Sequence, residues 1–263
     1  MITVLTPTYN RSNTLTRLFD SLVMQADHEF EWLVIDDGST DATNEIVADF
    51  QARMPPFSIR FYTQVNGGKH SAINTGVELA RGDWVFIVDS DDILTADAIM
   101  VAHNTISELP NSGVVGICFR KAHFDGKMIG VTWSLSENVK VMHPTCAGKI
   151  LMGDLAYLFT RDALHLFPFP IINGEKFVPE LYVWNQIGDI GEIHFFLNRI
   201  IYLCEYLPDG YSRNFSANLR KNCRGFQVFY KSQFFRETSL KGKLKCLFRI
   251  VQCELYVLLR KFA

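Results

Sequence analysis

The chain has 263 residues, 48% of them hydrophobic, enough to bury one large core. Its 26 Lys and Arg against 28 Asp and Glu leave a formal net charge of -2, so nothing in the overall balance calls for nucleic acid or an acidic partner. The six cysteines show no C-x-x-C spacing and sit mostly in apolar runs, no apolar run reaches membrane-spanning length, and Met1 leads straight into a strand-like segment without a leader. The expectation is a cytoplasmic protein with reduced thiols.

In chain order the first half alternates strand and helix. Ile2 to Thr6 reads as a short buried strand, and Pro7 to Arg11 as a loop. Leu15, Leu18, Phe19, Leu22 and Val23 then recur at helical spacing behind Ser12 or Asn13 as N-cap. Trp32 to Ile35 is the second strand, ending in the turn and helix-start signal Asp36 to Asp41, with helix through about Phe50. Ser58 to Thr63 is the third strand, Asn66 to Lys69 its loop, and Ser71 to Ala80 the next helix. Trp84 to Val88 is the fourth strand, and Thr95 to Leu109 reads as helix.

The fourth strand stops abruptly at Asp89, Ser90, Asp91 and Asp92. Carboxylates crowded at the C-terminal end of a buried strand repel one another unless a cation is shared, and hard oxygen ligands suit Mg²⁺ or Mn²⁺. Asp91 or Asp92 taken alone also fits a helix cap, but a cap needs one acceptor and three are present. Alternation of this kind predicts an α/β fold with a mostly parallel sheet, in which the loops after the first four strands meet at one edge. Tyr9, Asp37, Lys69 and Asp89 to Asp92 then converge. No Gly-rich phosphate cradle accompanies them.

Thr6 to Arg11, Val34 to Asp41, Gly67-Gly68-Lys69 with Ala72, Asn74 and Gly76, Gly82-Asp83 and Asp89 to Asp92 together resemble the family 2 inverting glycosyltransferases of the GT-A fold, over roughly the first 110 residues. Phe177 to Glu180 with Trp184-Asn185, and Tyr206 to Ser212, look like a bacterial polysaccharide-type subgroup. Residues 111–215 read as an acceptor half and 216–263 as a C-terminal helical segment, while the resemblance implies a Rossmann-like nucleotide-binding half over residues 1–110. It implies that Pro7, Tyr9 and Arg11 frame the base and ribose of a nucleoside diphosphate sugar, and that Asp37 accepts the imide N–H of a uracil, which favours a UDP-linked donor. Lys69 falls near the ribose or diphosphate, Asp89 at the ribose or donor sugar with Ser90 beside it, and Asp91, with Asp92 competing, at a divalent metal, Mn²⁺ or Mg²⁺. Glu180 is the candidate base, although it is followed by Leu181 where the family often has Asp.

The chemistry accounts for these residue types. A nucleoside diphosphate leaving group develops negative charge that a cation stabilises, while a carboxylate on the opposite face of the sugar takes the acceptor's proton in a single inverting displacement. Glu180 also fits an N-terminal helix acid, with Pro179 at the first helical position. His70 reads as a surface or capping residue, Trp133 and Trp184 as sugar-stacking or core residues, and Arg213 as a loop cation. The second half predicts strands at Val114 to Arg120, Ala156 to Thr160 and Arg199 to Tyr206, with a hairpin turn at Asp125-Gly126, a helix from near Asp162 and another over Tyr182 to Ile187.

From Leu244 on, Leu247, Phe248, Val251, Leu255, Leu258, Leu259 and Phe262 share a helical face, flanked by Lys241, Lys243, Lys245, Arg249, Arg260 and Lys261. That face suits a peripheral contact with an anionic membrane, the protein's own domain, or a homodimer. The leading expectation is a metal-dependent sugar transfer to a saccharide or lipid-linked saccharide acceptor in surface polysaccharide synthesis. Two alternatives are a sugar-nucleotide nucleotidyltransferase and a catalytically silent nucleotide-sugar binding protein.

Overall fold

The computed structural model describes residues 1–110, 112–133, 138–205 and 214–261. Its first half runs β1 (Ile2–Thr8), α1 (Ser12–Val23), β2 (Phe30–Asp36), α2 (Thr43–Ala52), β3 (Ser58–Thr63), α3 (Lys69–Leu79) and β4 (Trp84–Ile87). β1 lies between β2 and β4, with β3 outside β2, and all four are parallel. Every residue of β1 and β2 is buried because helices cover both faces. Ile2, Val4, Trp32 and Val34 share a core with Leu15, Leu18 and Phe50, while Leu5, Leu33 and Ile35 join Ala72, Ile73 and Val77 of α3 in the other.

β1 continues through Pro7 to Thr8, where a loop was expected. The last β1–β4 pair is Leu5 with Ile87, so Pro7 lies beyond the end of β4 and its missing N–H costs no ladder bond on that side. α1 begins at Ser12 with Arg11 at the cap position, ahead of both expected caps, and the Arg11 side chain makes no capping bond. Instead Asp41 accepts from the Ser12 N–H at 3.0 Å and from Thr43 N–H at 3.1 Å, tying the β1 loop to the start of α2. Against the effect of burial, hydrogen bonds from the Thr43 and Ser12 side chains, with these N–H groups, hold the Asp41 carboxyl down at about 2.

The second half adds β5 (Ile93–Leu94), α4 (Ala98–Glu108), β6 (Val114–His123), β7 (Val139–Val141), α5 (Pro144–Leu151), β8 (Leu155–Thr160), α6 (Arg161–Leu166), α7 (Leu181–Gly188) and β9 (Glu192–Cys204). Among the described residues the sheet order is β3-β2-β1-β4-β8-β6-β9-β5, with β7 on β9. β8 is antiparallel to both β4 and β6, giving the mixed sheet expected of this half. The helix expected from Thr95 starts three residues late, because Ile93 and Leu94 are drawn into pairing with Leu203 and Tyr202. β9 begins at Glu192, seven residues ahead of the expected start. Its pairing with β6 shifts register around Arg120, which lets a 13-residue strand follow a shorter one. Tyr206, the expected end of that strand, lies outside the described residues.

α8 (Phe215–Lys221), α9 (Cys223–Arg236) and α10 (Leu240–Lys261) close the chain around a third apolar cluster containing Leu219, Cys223, Phe226, Tyr230, Cys246 and Cys253. This unit is anchored to the sheet layers: Gln233 Oε1 accepts from Asn185 Nδ2 at 3.0 Å and Thr145 Oγ1 at 3.3 Å. All six thiols are free, five of them buried and Cys146 exposed. No described helix is long and apolar enough to cross a membrane.

Candidate active site

A cleft of about 700 Å³ opens at the C-terminal ends of β1, β2 and β4, where the strand order reverses direction around β1. Pro7, Tyr9, Arg11, Asp37, Lys69, Asp89, Ser90, Asp91, Asp92 and Glu180 all line it. The loops are tied together from below. Asn10, with φ 51° in the left-handed region that Asn tolerates, donates its N–H to Ser39 Oγ at 2.8 Å and accepts from Thr40 N–H at 2.8 Å.

Asp37 is buried, and its carboxylate holds the loop after β3. Oδ1 accepts from Gln64 Nε2 at 2.7 Å and Gly67 N–H at 2.8 Å, and Oδ2 from Gly68 N–H at 2.7 Å. Two oxygens offer about four acceptor positions, so one remains on Oδ2. Gly68 has φ +92°, and a Cβ there would lie 2.1 Å from the Lys176 carbonyl oxygen. Only glycine permits both the backbone and the approach. α3 starts directly after it and projects Lys69 into the cleft.

Lys69 Nζ stands 2.5 Å from Asp89 Oδ1 and 2.7 Å from Glu180 Oε1. Burial disfavours its charge, but the two carboxylates outweigh that and hold it protonated far above the usual lysine range. Asp89 is correspondingly held low against its own burial, chiefly by Lys69. Glu180 occupies the cap position of α7 yet makes no side-chain cap bond, so its carboxylate is presented to the cleft and not spent on the helix. Pro179 therefore precedes the cap and is not the first helical residue.

The three aspartates part company. Asp91 lies 3.9 Å from Arg11 Nε, and burial together with Asp89 pushes its carboxyl up. Asp92 is 5% exposed and accepts from Tyr202 Oη at 2.7 Å, while Tyr202 Oη also accepts from the Asp89 N–H at 2.9 Å. Lys121 Nζ sits 3.9 Å from Asp92 and 3.7 Å from the centre of the Tyr202 ring. Burial, with Asp89 nearby, lifts Asp92 to about 7. Among the described residues no group of three His, Cys, Asp or Glu side chains is arranged to hold a metal by itself. The repulsion is relieved by separate partners, Lys69, Arg11 and the Lys121–Tyr202 pair.

Residues 3–150 match the family model described as glycosyl transferase family 2, which covers more than half of the chain. The chain belongs to glycosyl transferase family 2. Among curated members it is 32% identical over 143 residues to the chondroitin synthase of Escherichia coli, a match covering 54% of this chain and 21% of that protein. The first curated relatives are matched over only 16% to 55% of their own length. The crystal structure of S. aureus TarS 1-349 in complex with UDP-GlcNAc superimposes with a TM-score of 0.68 at 20% identity, covering 96% of this chain and 81% of that one. The mannosyltransferase PcManGT from Pyrobaculum calidifontis, in complex with GDP-Man and Mn²⁺, does so at 0.58 and 19%, covering 100% and 75%. The fold is thus the GT-A fold that the motifs of this family 2 chain led us to expect.

Sequence reasoning missed several cleft residues. Lys121 sits inside β6, and the signal was an Arg-Lys pair interrupting an apolar strand. Lys176 and Asp154 also line the cleft, from loops without a distinctive pattern. Gln64 and Tyr202 act by holding aspartates and carry no motif of their own. His70 is corrected from a surface residue to a buried one, 3% exposed against Phe169. Trp184 lines the cleft but is 5% exposed and packs on Phe159 at 4.8 Å, so core packing dominates. Arg213 and the Tyr206 to Ser212 motif lie outside the described residues.

Proposed function

We propose that this chain is an inverting glycosyltransferase that moves a sugar from a nucleoside diphosphate, UDP by preference, to an acceptor hydroxyl of a saccharide or lipid-linked saccharide in bacterial surface polysaccharide synthesis. The observation that carries the reading is Glu180 and Asp89 held on either side of Lys69 in a cleft at the switch point of the sheet. Tyr9, 46% exposed at the rim, supplies a face for the base, and the remaining acceptor position of Asp37 Oδ2 receives the imide N–H of uracil.

Asp91 suits a divalent ion, Mn²⁺ or Mg²⁺. Its negative charge is disfavoured by burial and by Asp89, and such ions are commonly held by one or two carboxylates together with substrate phosphates. Asp92, engaged by Tyr202, supports the position of Asp89 and Asp91 and does not ligate. A metal bound at Asp91 supplies Lewis-acid stabilisation of the departing diphosphate. Arg11 and Lys69 add positive charge on the protein's side of that diphosphate.

With donor bound, the phosphates compete for Lys69, and Glu180 is freed of its lysine. Glu180 then takes the proton of the acceptor hydroxyl as the oxygen forms its bond to C1. The C1–O bond to phosphate breaks on the opposite face, the nucleoside diphosphate leaves, and the anomeric centre inverts. The Lys69 grip on Glu180 also favours a second reading, a silent nucleotide-sugar binding protein whose base never acts. Glu180→Gln separates them. Turnover of a UDP-sugar falls by about 10³-fold with UDP affinity nearly unchanged if Glu180 is the base. Unaltered turnover removes Glu180 from the mechanism, and no turnover of any UDP- or GDP-sugar by the wild type favours the binding protein.

A further inference from the structure

The apolar stripe of α10 is neither the face that packs on the protein nor covered by any described residue. Cys246 and Cys253 are buried, and with Ile250 and Val257 they face α8 and α9. At 3.6 residues per turn these four positions lie on the side opposite Leu244, Leu247, Phe248, Val251, Leu255 and Leu258. Those six are 45% to 65% exposed. A helix apolar on both sides has two partners, and only one is present. Single exposed leucines are ordinary, but a stripe running the length of a 22-residue helix marks an interaction surface.

Charge decides the occupant. Residues 216–263 hold eleven Lys or Arg against two Glu, so the rest of a chain of net charge -2 is strongly acidic. Lys241 and Lys245 flank the exposed stripe on one side and Lys243 on the other, while Glu254, the one acid of the helix, lies 3.9 Å from Lys231. Two copies meeting through this stripe would bring like charges together at its edges. An anionic surface would neutralise them. We infer that α10 docks on the headgroup region of an anionic lipid bilayer, its leucine stripe sunk among the acyl chains and its lysines against the phosphates. The surface itself does not depend on the transferase reading.

The packed face of α10 is also linked to the cleft. Near the end of α10, Arg260 Nη1 bonds Glu175 Oε1 at 3.1 Å, and the next residues of that loop, Lys176 and Phe177, line the cleft on the way to Glu180.

The test is co-sedimentation of the full chain with vesicles of phosphatidylcholine alone or mixed with phosphatidylglycerol, at low and high ionic strength. The expected result is binding to the phosphatidylglycerol vesicles that weakens with salt and falls about five-fold for each lysine removed in Lys241→Gln, Lys243→Gln and Lys245→Gln. Combined Leu247→Ser, Val251→Ser and Leu255→Ser abolishes binding with the thermal midpoint kept. If that variant fails to fold, the lysine series carries the test, Lys241 and Lys245 being exposed and Lys243 lying over the Phe234 ring. Absence of binding at low salt, or equal binding by the lysine variants, overturns the inference. So does a wild-type dimer in sedimentation that the serine variant converts to monomer, which would give the stripe to a second copy.

Discussion

Tyr202 illustrates how much a residue without a motif decides here. Its hydroxyl donates to Asp92 and accepts from the Asp89 N–H, so it fixes the direction of the whole aspartate turn from β9, more than a hundred residues away in sequence. Tyr202→Phe leaves a buried carboxylate without its donor, and a hydrogen bond to a charged group is worth about 1.5–3 kcal/mol. Chemical denaturation should show that loss as a lower midpoint at unchanged slope. Turnover should fall further than stability explains, because Asp89 and Asp91 lose their support. Equal turnover per folded molecule would mean that the turn holds its shape without the tyrosine. Asp92 itself was legible as an acid in the right place, but sequence could not say that its carboxylate turns to Tyr202 and Lys121 while Asp91 stays with Arg11 in the cleft.

Among elements, the loop between β3 and α3 carries the most consequence for its length. Asp37 gathers it through Gln64, Gly67 and Gly68, and Gly68 at φ +92° and ψ 161° is in a region that other residues scarcely enter. Gly68→Ala adds that strain, about 1–3 kcal/mol, to a clash with the backbone at Lys176. The expected outcome is a lower thermal midpoint and a clear loss of UDP affinity by calorimetry, since Lys69 and the Lys176 loop both shift. Undiminished UDP affinity would separate this loop from the donor site. The strand and helix identities of the first half were legible because each apolar run answers a buried two-sided sheet or a helix face. The boundaries were not. Pro7 belongs to a strand only because β4 ends before reaching it, and Ile93-Leu94 is a strand only because β9 passes by.

At the scale of the whole molecule, the C-terminal helices behave as a brace for the loop that leads to Glu180. Glu175, 6% exposed, accepts from the N–H groups of Arg224 at 3.0 Å and Gly225 at 2.9 Å and pairs with Arg260, while Lys176 N–H donates to Asn222 Oδ1 at 2.9 Å. Phe177 packs against Phe226 at 5.4 Å. Glu175→Ala removes the acceptor of two backbone donors and of the part-exposed Arg260, a loss of about 1–3 kcal/mol for buried donors left unsatisfied. Unfolding should remain one transition but at lower denaturant, and turnover should fall because Glu180 lies five residues downstream. A second, separate transition in the wild type would instead mark residues 216–263 as an independent unit.

The sequence by itself determined the α/β alternation, the family motifs and which polar residues gather where the apolar runs of the first four strands give out, because those depend on periodicity and local chemistry along the chain. Only the tertiary structure decided the pairings: Lys69 between Asp89 and Glu180, Tyr202 on Asp92, and which side of α10 packs on Cys246 and Cys253 and which side is left to solvent. These are contacts between residues tens to more than a hundred positions apart. A charged or apolar side chain satisfies its physical needs with whatever the fold brings near it, and that neighbour is written nowhere in its own stretch of sequence.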